Sequence, residues 1–185
     1  MRLASFRNAC ALVLSACAAT ASAQTAPAPA APPAPCTAAE HRQFDFWLGD
    51  WVVHGGPDGT ALQGTNRIER SGNGCWLVEH WRSAKGNDGT SLNAWDAQHR
   101  VWRQFWVGAD GVVVRLQGGL RGDGAMEMTG ELAKADGGVQ RQKMSWTAAA
   151  DGSVVQRWDT SDDDGKSWQT SFLGTYRRAS RKPLR

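Results

Sequence analysis

"VWRQFWVGADGVVVRLQGGLRGDG", Val101 to Gly124, holds two strand-like runs, each followed by an Asp-Gly dipeptide, at Asp110-Gly111 and Asp123-Gly124. The runs mix β-branched and aromatic residues with polar side chains at alternate positions, which is the pattern of a half-buried strand. Asp-Gly tolerates the positive φ that a tight hairpin demands. The same unit recurs outward in both directions, with Asp-Gly at Asp58-Gly59, Asp88-Gly89, Asp136-Gly137, Asp151-Gly152 and Asp164-Gly165. Asn73-Gly74 belongs to the same class, and Asp96-Ala97-Gln98-His99 is expected to turn between "SLNAW" and "RVWRQFWV". Nine turns separate ten strands.

Only "TAAEHRQFDFWL", Thr37 to Leu48, reads as helical, with Thr37 as N-cap and Glu40 three residues later. Ten sequential antiparallel strands remove both sheet edges by closing on themselves. The expected fold is all-β: an up-and-down antiparallel β-barrel of about ten strands with a short N-terminal helix. A barrel embedded in lipid would need an unbroken apolar face on every strand. "VQRQKMSW" places Gln140, Gln142 and Met144 on one face and Val139, Arg141 and Lys143 on the other, so neither face suits lipid.

The start of the chain reads as an export signal over residues 1–23. Arg2 and Arg7 precede the apolar run Ala9 to Ala19, and Ala21-Ser22-Ala23 is a small-x-small cleavage site. Leu14-Ser15-Ala16-Cys17 also fits a lipoprotein box, so release to the periplasm or medium and anchoring at Cys17 both stay open. Residues 24–35, "QTAPAPAAPPAP", form an Ala/Pro linker that cannot build a core. The barrel domain is expected over 36–178, followed by a basic tail at 179–185. Removing Arg2 and Arg7 lowers Lys+Arg from 21 to 19 against 18 acidic residues, a near-neutral balance that argues against nucleic acid as partner. After cleavage, Cys36 and Cys75 are the cysteines left, and an oxidising compartment predicts a disulfide between them.

Gly49-x-Trp51, at the start of the first strand, resembles the Gly-x-Trp signature of calycins, the superfamily of lipocalins and fatty-acid-binding proteins. The resemblance implies that Trp51 packs across the closed end of the barrel beneath an Arg of the last strand, here Arg177 or Arg178. The domain also resembles a group of exported bacterial proteins that share an "FDFWxGxW" opening, a "GC" strand start, an "S-x-N" strand and a "DGGxxW" ending. Here these read "FDFWLGDW", "GCW", "SLN" and "DDGKSW". That likeness brings no activity. Nitrobindin-like haem barrels use a His late in the chain as iron ligand, whereas this chain has no His after His99, so no haem is expected.

Metal and cofactor sites find no support. His41, His54, His80 and His99 are isolated from one another, and Asp162-Asp163-Asp164-Gly165 lacks the acids at Thr160 and Ser171 that a calcium loop would need. Ser161-x-Asp163-x-Gly165-x-Ser167-Trp168 matches an Asp-box hairpin, a structural turn. No Gly-x-Ser-x-Gly or His-Glu-x-x-His occurs, and no catalytic set is assigned. Strand carboxylates Glu69, Glu79, Glu127 and Glu131 are candidates for proton transfer if buried, and otherwise face solvent or pair with Arg.

The tryptophans carry the functional reading, ten of them against a single Tyr. Period-two phasing groups Leu77, Glu79 and Trp81; Ser91, Asn93 and Trp95; Trp102, Gln104 and Trp106; Val154, Gln156 and Trp158. Each set joins a Trp to a polar side chain that is costly to bury alone. If these faces point inward, the lumen is a Trp-walled pocket for a small hydrophobic or aromatic ligand. The alternatives are an enzyme using Glu79 with Asn93 or Gln104 in the same cavity, and a filled barrel that contacts another protein of the envelope. The stretch "FDFWLGDW" is expected to plug the barrel through Phe44, Phe46, Trp47, Gly49 and Trp51, while Asp45 and Asp50 hold backbone or Arg groups.

Overall fold

A computed structural model of the chain describes residues 36–180. The signal segment, the linker, the Cys17 box and the end of the basic tail lie outside the described residues. Ten strands follow two short 3-10 turns: β1 (Gly49–Gly55), β2 (Ala61–Ser71), β3 (Trp76–Ser83), β4 (Gly89–Asp96), β5 (Val101–Gly108), β6 (Val113–Leu120), β7 (Met126–Ala133), β8 (Val139–Ala148), β9 (Val154–Ser161) and β10 (Gln169–Arg178). Each strand pairs antiparallel with its neighbour in sequence, and β1 pairs with β10, so the sheet is a closed up-and-down barrel.

The turns follow the Asp-Gly pattern with one exception. Gly111, Gly124, Gly137 and Gly152 all take φ near +80°, the left-handed region a hairpin requires. Asp88-Gly89 is not a turn. The β3–β4 connection bends at Gly86, with φ +84°, and the Asp88 carboxylate accepts the Ser83 N–H at 2.8 Å to close a longer loop. That leaves Gly89 as the first residue of β4. The Asp96 turn forms as expected, its carboxylate accepting the His99 N–H at 3.1 Å. The Asp-box is a self-satisfied hairpin: Asp163 accepts the N–H of Ser167 at 2.8 Å and the hydroxyls of Ser161 and Ser167.

The N-terminal helix is two 3-10 turns, Ala39–Arg42 and Asp45–Trp47, and the N-cap position of the first is held by Ala38, one residue after Thr37. The tighter winding has a packing reason. A 3-10 turn eclipses side chains three residues apart, and this stacks Phe44 on Trp47 with ring centroids 4.8 Å apart. Both are fully buried. The Cys36–Cys75 disulfide ties this segment to the β2–β3 connection, with Cα atoms 5.0 Å apart.

Mid-strand charges sit on the outer wall in pairs. Arg103 meets Asp96 at 2.7 Å, Arg121 meets Glu127 at 2.6 Å and Arg141 bridges Glu131 and Asp164. Glu69 lies beside Arg67 and His80. Of the four strand carboxylates singled out in the sequence, only Glu79 is buried.

Candidate functional site

The inward-facing side chains form three layers along the barrel axis. The lowest is an aromatic plug. Phe44 and Trp47 insert from the N-terminal turns, and Trp102, Trp146 and Tyr176 meet them edge-on or tilted at centroid distances of 5.1–6.4 Å. Phe46 packs beside Phe44 at 5.5 Å. Trp51 donates its indole N–H to the Trp47 carbonyl at 2.8 Å. Arg178 lies over the Trp51 ring at 3.9 Å and donates to the Leu48 carbonyl, whereas Arg177 points outward toward Asp151. Gly49 is required beneath this arrangement: its φ is +130°, and a Cβ there would collide with the Arg178 guanidinium. Asp50 holds Arg67 at 2.8 Å, and Asp45 pairs with Arg70.

Above the plug lies a belt of buried polar side chains. Its order follows from register: Glu79 on β3 is directly opposite Ser91 on β4, and Asn93 is opposite Gln104 on β5. Gln104 Nε2 donates to Asn93 Oδ1 at 2.8 Å, Asn93 Nδ2 to Ser91 Oγ at 2.8 Å, and the Ser91 hydroxyl to Glu79 Oε2 at 2.6 Å. From the other side Asn66 Nδ2 donates to Glu79 Oε1 at 2.7 Å. Both hydrogen-bonded chains therefore end on the Glu79 carboxylate. Across the lumen Tyr176 donates to Gln156 Oε1, and Gln142 accepts the Trp158 indole N–H at 2.8 Å.

Burial decides the titration of Glu79. It pushes the carboxyl up to about 7, against the opposing pull of the hydrogen bonds from Ser91 and Asn66. Tyr176 is raised well above its ordinary value by burial first and by the Glu79 charge second. Neither is an accident of the surface, since Glu79 is 4% and Tyr176 1% exposed.

The upper layer encloses a cavity of about 350 Å³ that opens between the β3–β4 and β5–β6 connections. Trp81, Trp106, Trp158 and Phe172 form its walls; Glu79, Gln104, Gln156 and Tyr176 lie toward its floor. The barrel is not filled. Of the proposed lumen residues, Glu79, Trp81, Gln104, Trp106, Gln156 and Trp158 come together around this space. Asn93, Trp95 and Trp102 point inward but sit lower. Asn93 is a link in the polar belt, Trp102 donates to Gln43 in the plug at 3.1 Å, and Trp95 packs against the core at the Trp102 position of the neighbouring strand. They do not line the cavity. The alternative pairing of Glu79 with Asn93 is indirect, because Ser91 stands between them.

Sequence reading missed Asn66, Met144, Phe172 and Tyr176. Asn66 shares the phase of buried Ile68 on β2, a signal that period-two counting from Ile68 exposes. Tyr176 shares the phase of Arg178, two residues on. Phe172 shares the phase of Gly174 and Tyr176, because the register shift of β10 lies before it, between Thr170 and Phe172. Among the described residues, no cluster of three or more His, Cys, Asp or Glu is arranged to hold a metal ion.

No protein-family model matches the chain, and no curated protein matches it.

Proposed function

We propose that the chain is an exported, calycin-like barrel that binds a small, partly apolar molecule in its lumen. The observation that carries this reading is the open cavity of about 350 Å³, walled by Trp81, Trp106, Trp158 and Phe172 above a polar floor. Small-molecule sites are concave and mostly apolar, with a few convergent polar groups, and start near ~300 Å³. Likeness to calycins is supported by the closed end, where Gly49, Trp51 and Arg178 interlock. Export to the periplasm or beyond is supported by the N-terminal signal pattern and by a disulfide, which persists in an oxidising compartment.

Titration with neutral aromatic probes, indole and 2-phenylethanol, tests the reading through tryptophan emission. A saturable change is expected, abolished when Gly89→Val drives the Trp106 ring into the cavity. A flat response to both probes and to their charged analogues, 2-phenylethylammonium and phenylacetate, overturns it.

One observation favours a second reading, an enzyme acting on a small molecule. A buried carboxyl titrating near 7 is suited to proton transfer at neutral pH. In that case turnover requires Glu79 and disappears in Glu79→Gln, whereas a binding protein only changes affinity.

A further inference from the structure

The chemistry of the lumen floor narrows the ligand class. Glu79 is a buried carboxylate, and among the described residues no Lys, Arg or His forms an ion pair with it. An isolated buried charge is expensive, and proteins normally compensate one with an opposite charge. Here the only compensation is hydrogen bonding, and its direction is uniform. Gln104, Asn93 and Ser91 relay donors toward one carboxylate oxygen, and Asn66 donates to the other. A carboxylate has about four acceptor positions, of which these bonds use two.

The Glu79 carboxylate therefore keeps unused acceptor positions at the floor. Behind it Asn66 Oδ1, on a side chain only 2% exposed and outside the cavity lining, has no hydrogen-bond partner. Gln156 accepts from Tyr176 through Oε1 and directs Nε2 to Met144 Sδ at 3.0 Å, so its amide does not donate to the carboxylate. Above the floor, Trp81, Trp106 and Trp158 present aromatic faces, whose quadrupoles attract cations. The other ionisable side chains that line the cavity are Tyr176, which stays protonated, and Lys85 and Asp110 at the mouth, whose charges oppose one another.

We propose that the lumen selects an organic cation, a protonated amine on a small apolar body, with the ammonium at the Glu79 carboxylate and the body between Trp81, Trp106 and Trp158. The inference rests on the lumen-binding reading of the preceding section. The ammonium supplies the positive charge that the Glu79 carboxylate lacks, and the indoles cover the part of the ligand that water would otherwise leave unfavourably hydrated.

Three ligands of one shape test it: 2-phenylethylammonium, 2-phenylethanol and phenylacetate, titrated into the full chain and into Glu79→Gln by calorimetry at pH 8. The ammonium should bind at least about tenfold more tightly than the alcohol, with phenylacetate weakest, and Glu79→Gln should reduce that preference to about threefold or less. Lowering the pH to 5.5 protonates Glu79 while the amine keeps its charge. The ammonium should then lose about tenfold or more in affinity while the alcohol is unchanged. If the alcohol binds as well as the ammonium at pH 8, the cation inference is overturned and lumen binding stands. If none of the three binds, both fall. The comparison among ligands on the unaltered chain decides the matter even if the variant fails to fold.

Discussion

The indole of Trp106 lies against Gly89 of the neighbouring strand, in the space a Cβ would occupy. Gly89 is in the inward phase of β4, two residues before buried Ser91. Trp81 sits on Gly64 of β2 in the same manner, and Phe172 on Gly174 within β10. Glycine in a strand interior weakens the strand and marks a close approach by another group. At these three positions a ring is folded onto the wall, joined at Gly64 by the Arg82 carbonyl oxygen, and the space the ring vacates is the cavity.

Gly89→Ala is therefore expected to swing Trp106 into the lumen. Overpacking of this kind costs about 1–3 kcal/mol, and affinity for a lumen ligand should fall by about tenfold or more. Gly122→Ala, where a Cβ would meet open space, should change neither quantity. Denaturant melts and fluorescence titrations of the two variants side by side check this.

Glu79 makes stability depend on pH with a defined sign. Its folded-state pKa of about 7 lies above the value of 4.5 for an unperturbed carboxyl, so the folded chain holds the proton more tightly than the unfolded one. Its contribution is full below pH 4.5, is lost as the pH rises to about 7, and changes no further above that. The loss is on the order of 3 kcal/mol at about 1.4 kcal/mol per pH unit. Relative to the unaltered chain, Glu79→Gln should gain stability by that amount between pH 4.5 and pH 8. Parallel stability curves over this range would contradict the burial of an unpaired carboxyl.

The two arginines at the end of β10 should separate cleanly. Arg178→Ala removes the stacking on Trp51 and the bond to the Leu48 carbonyl, at a cost of about 1–2 kcal/mol. Arg177 is exposed and reaches Asp151 only at 3.5 Å, so Arg177→Ala should stay within about 0.5 kcal/mol. Equilibrium unfolding of both variants measures the contrast.

The Cys36–Cys75 bridge closes a loop with a sequence separation of 39. Loop entropy assigns such a bridge about 4 kcal/mol. Double replacement by Ala should lower unfolding stability by roughly that amount. It should also loosen the plug first, which hydrogen exchange at the Trp47 and Trp51 amides would register.

The fold was legible because turn chemistry is local. Asp110-Gly111 or Asp151-Gly152 states its φ requirement within two residues, and alternation fixes which side chains face in. The phase of Glu79, Asn93, Gln104 and Gln156 followed from the same alternation. Depth along the axis is not local: Trp102 and Trp106 share a strand and a phase, yet one belongs to the plug and the other to the cavity wall. That difference arises because Trp102 sits beside the inserted N-terminal turns, a contact spanning 59 residues of sequence. Gly89 was misread for a related reason. Asp-Gly signals a turn only when the dipeptide falls between strands, and here Gly86 had already made the bend.

The central claim is that the lumen beside Trp81, Trp106 and Trp158 takes a small ligand while the plug beneath stays closed. The indole N–H resonances of the ten tryptophans, followed by NMR during titration with 2-phenylethylammonium, test it most directly. The account predicts saturable shifts at Trp81, Trp106 and Trp158, with Trp47, Trp51 and Trp146 unmoved. Shifts confined to Trp76 and Trp168, which lie outside the cavity lining, or no shifts at all, would contradict it.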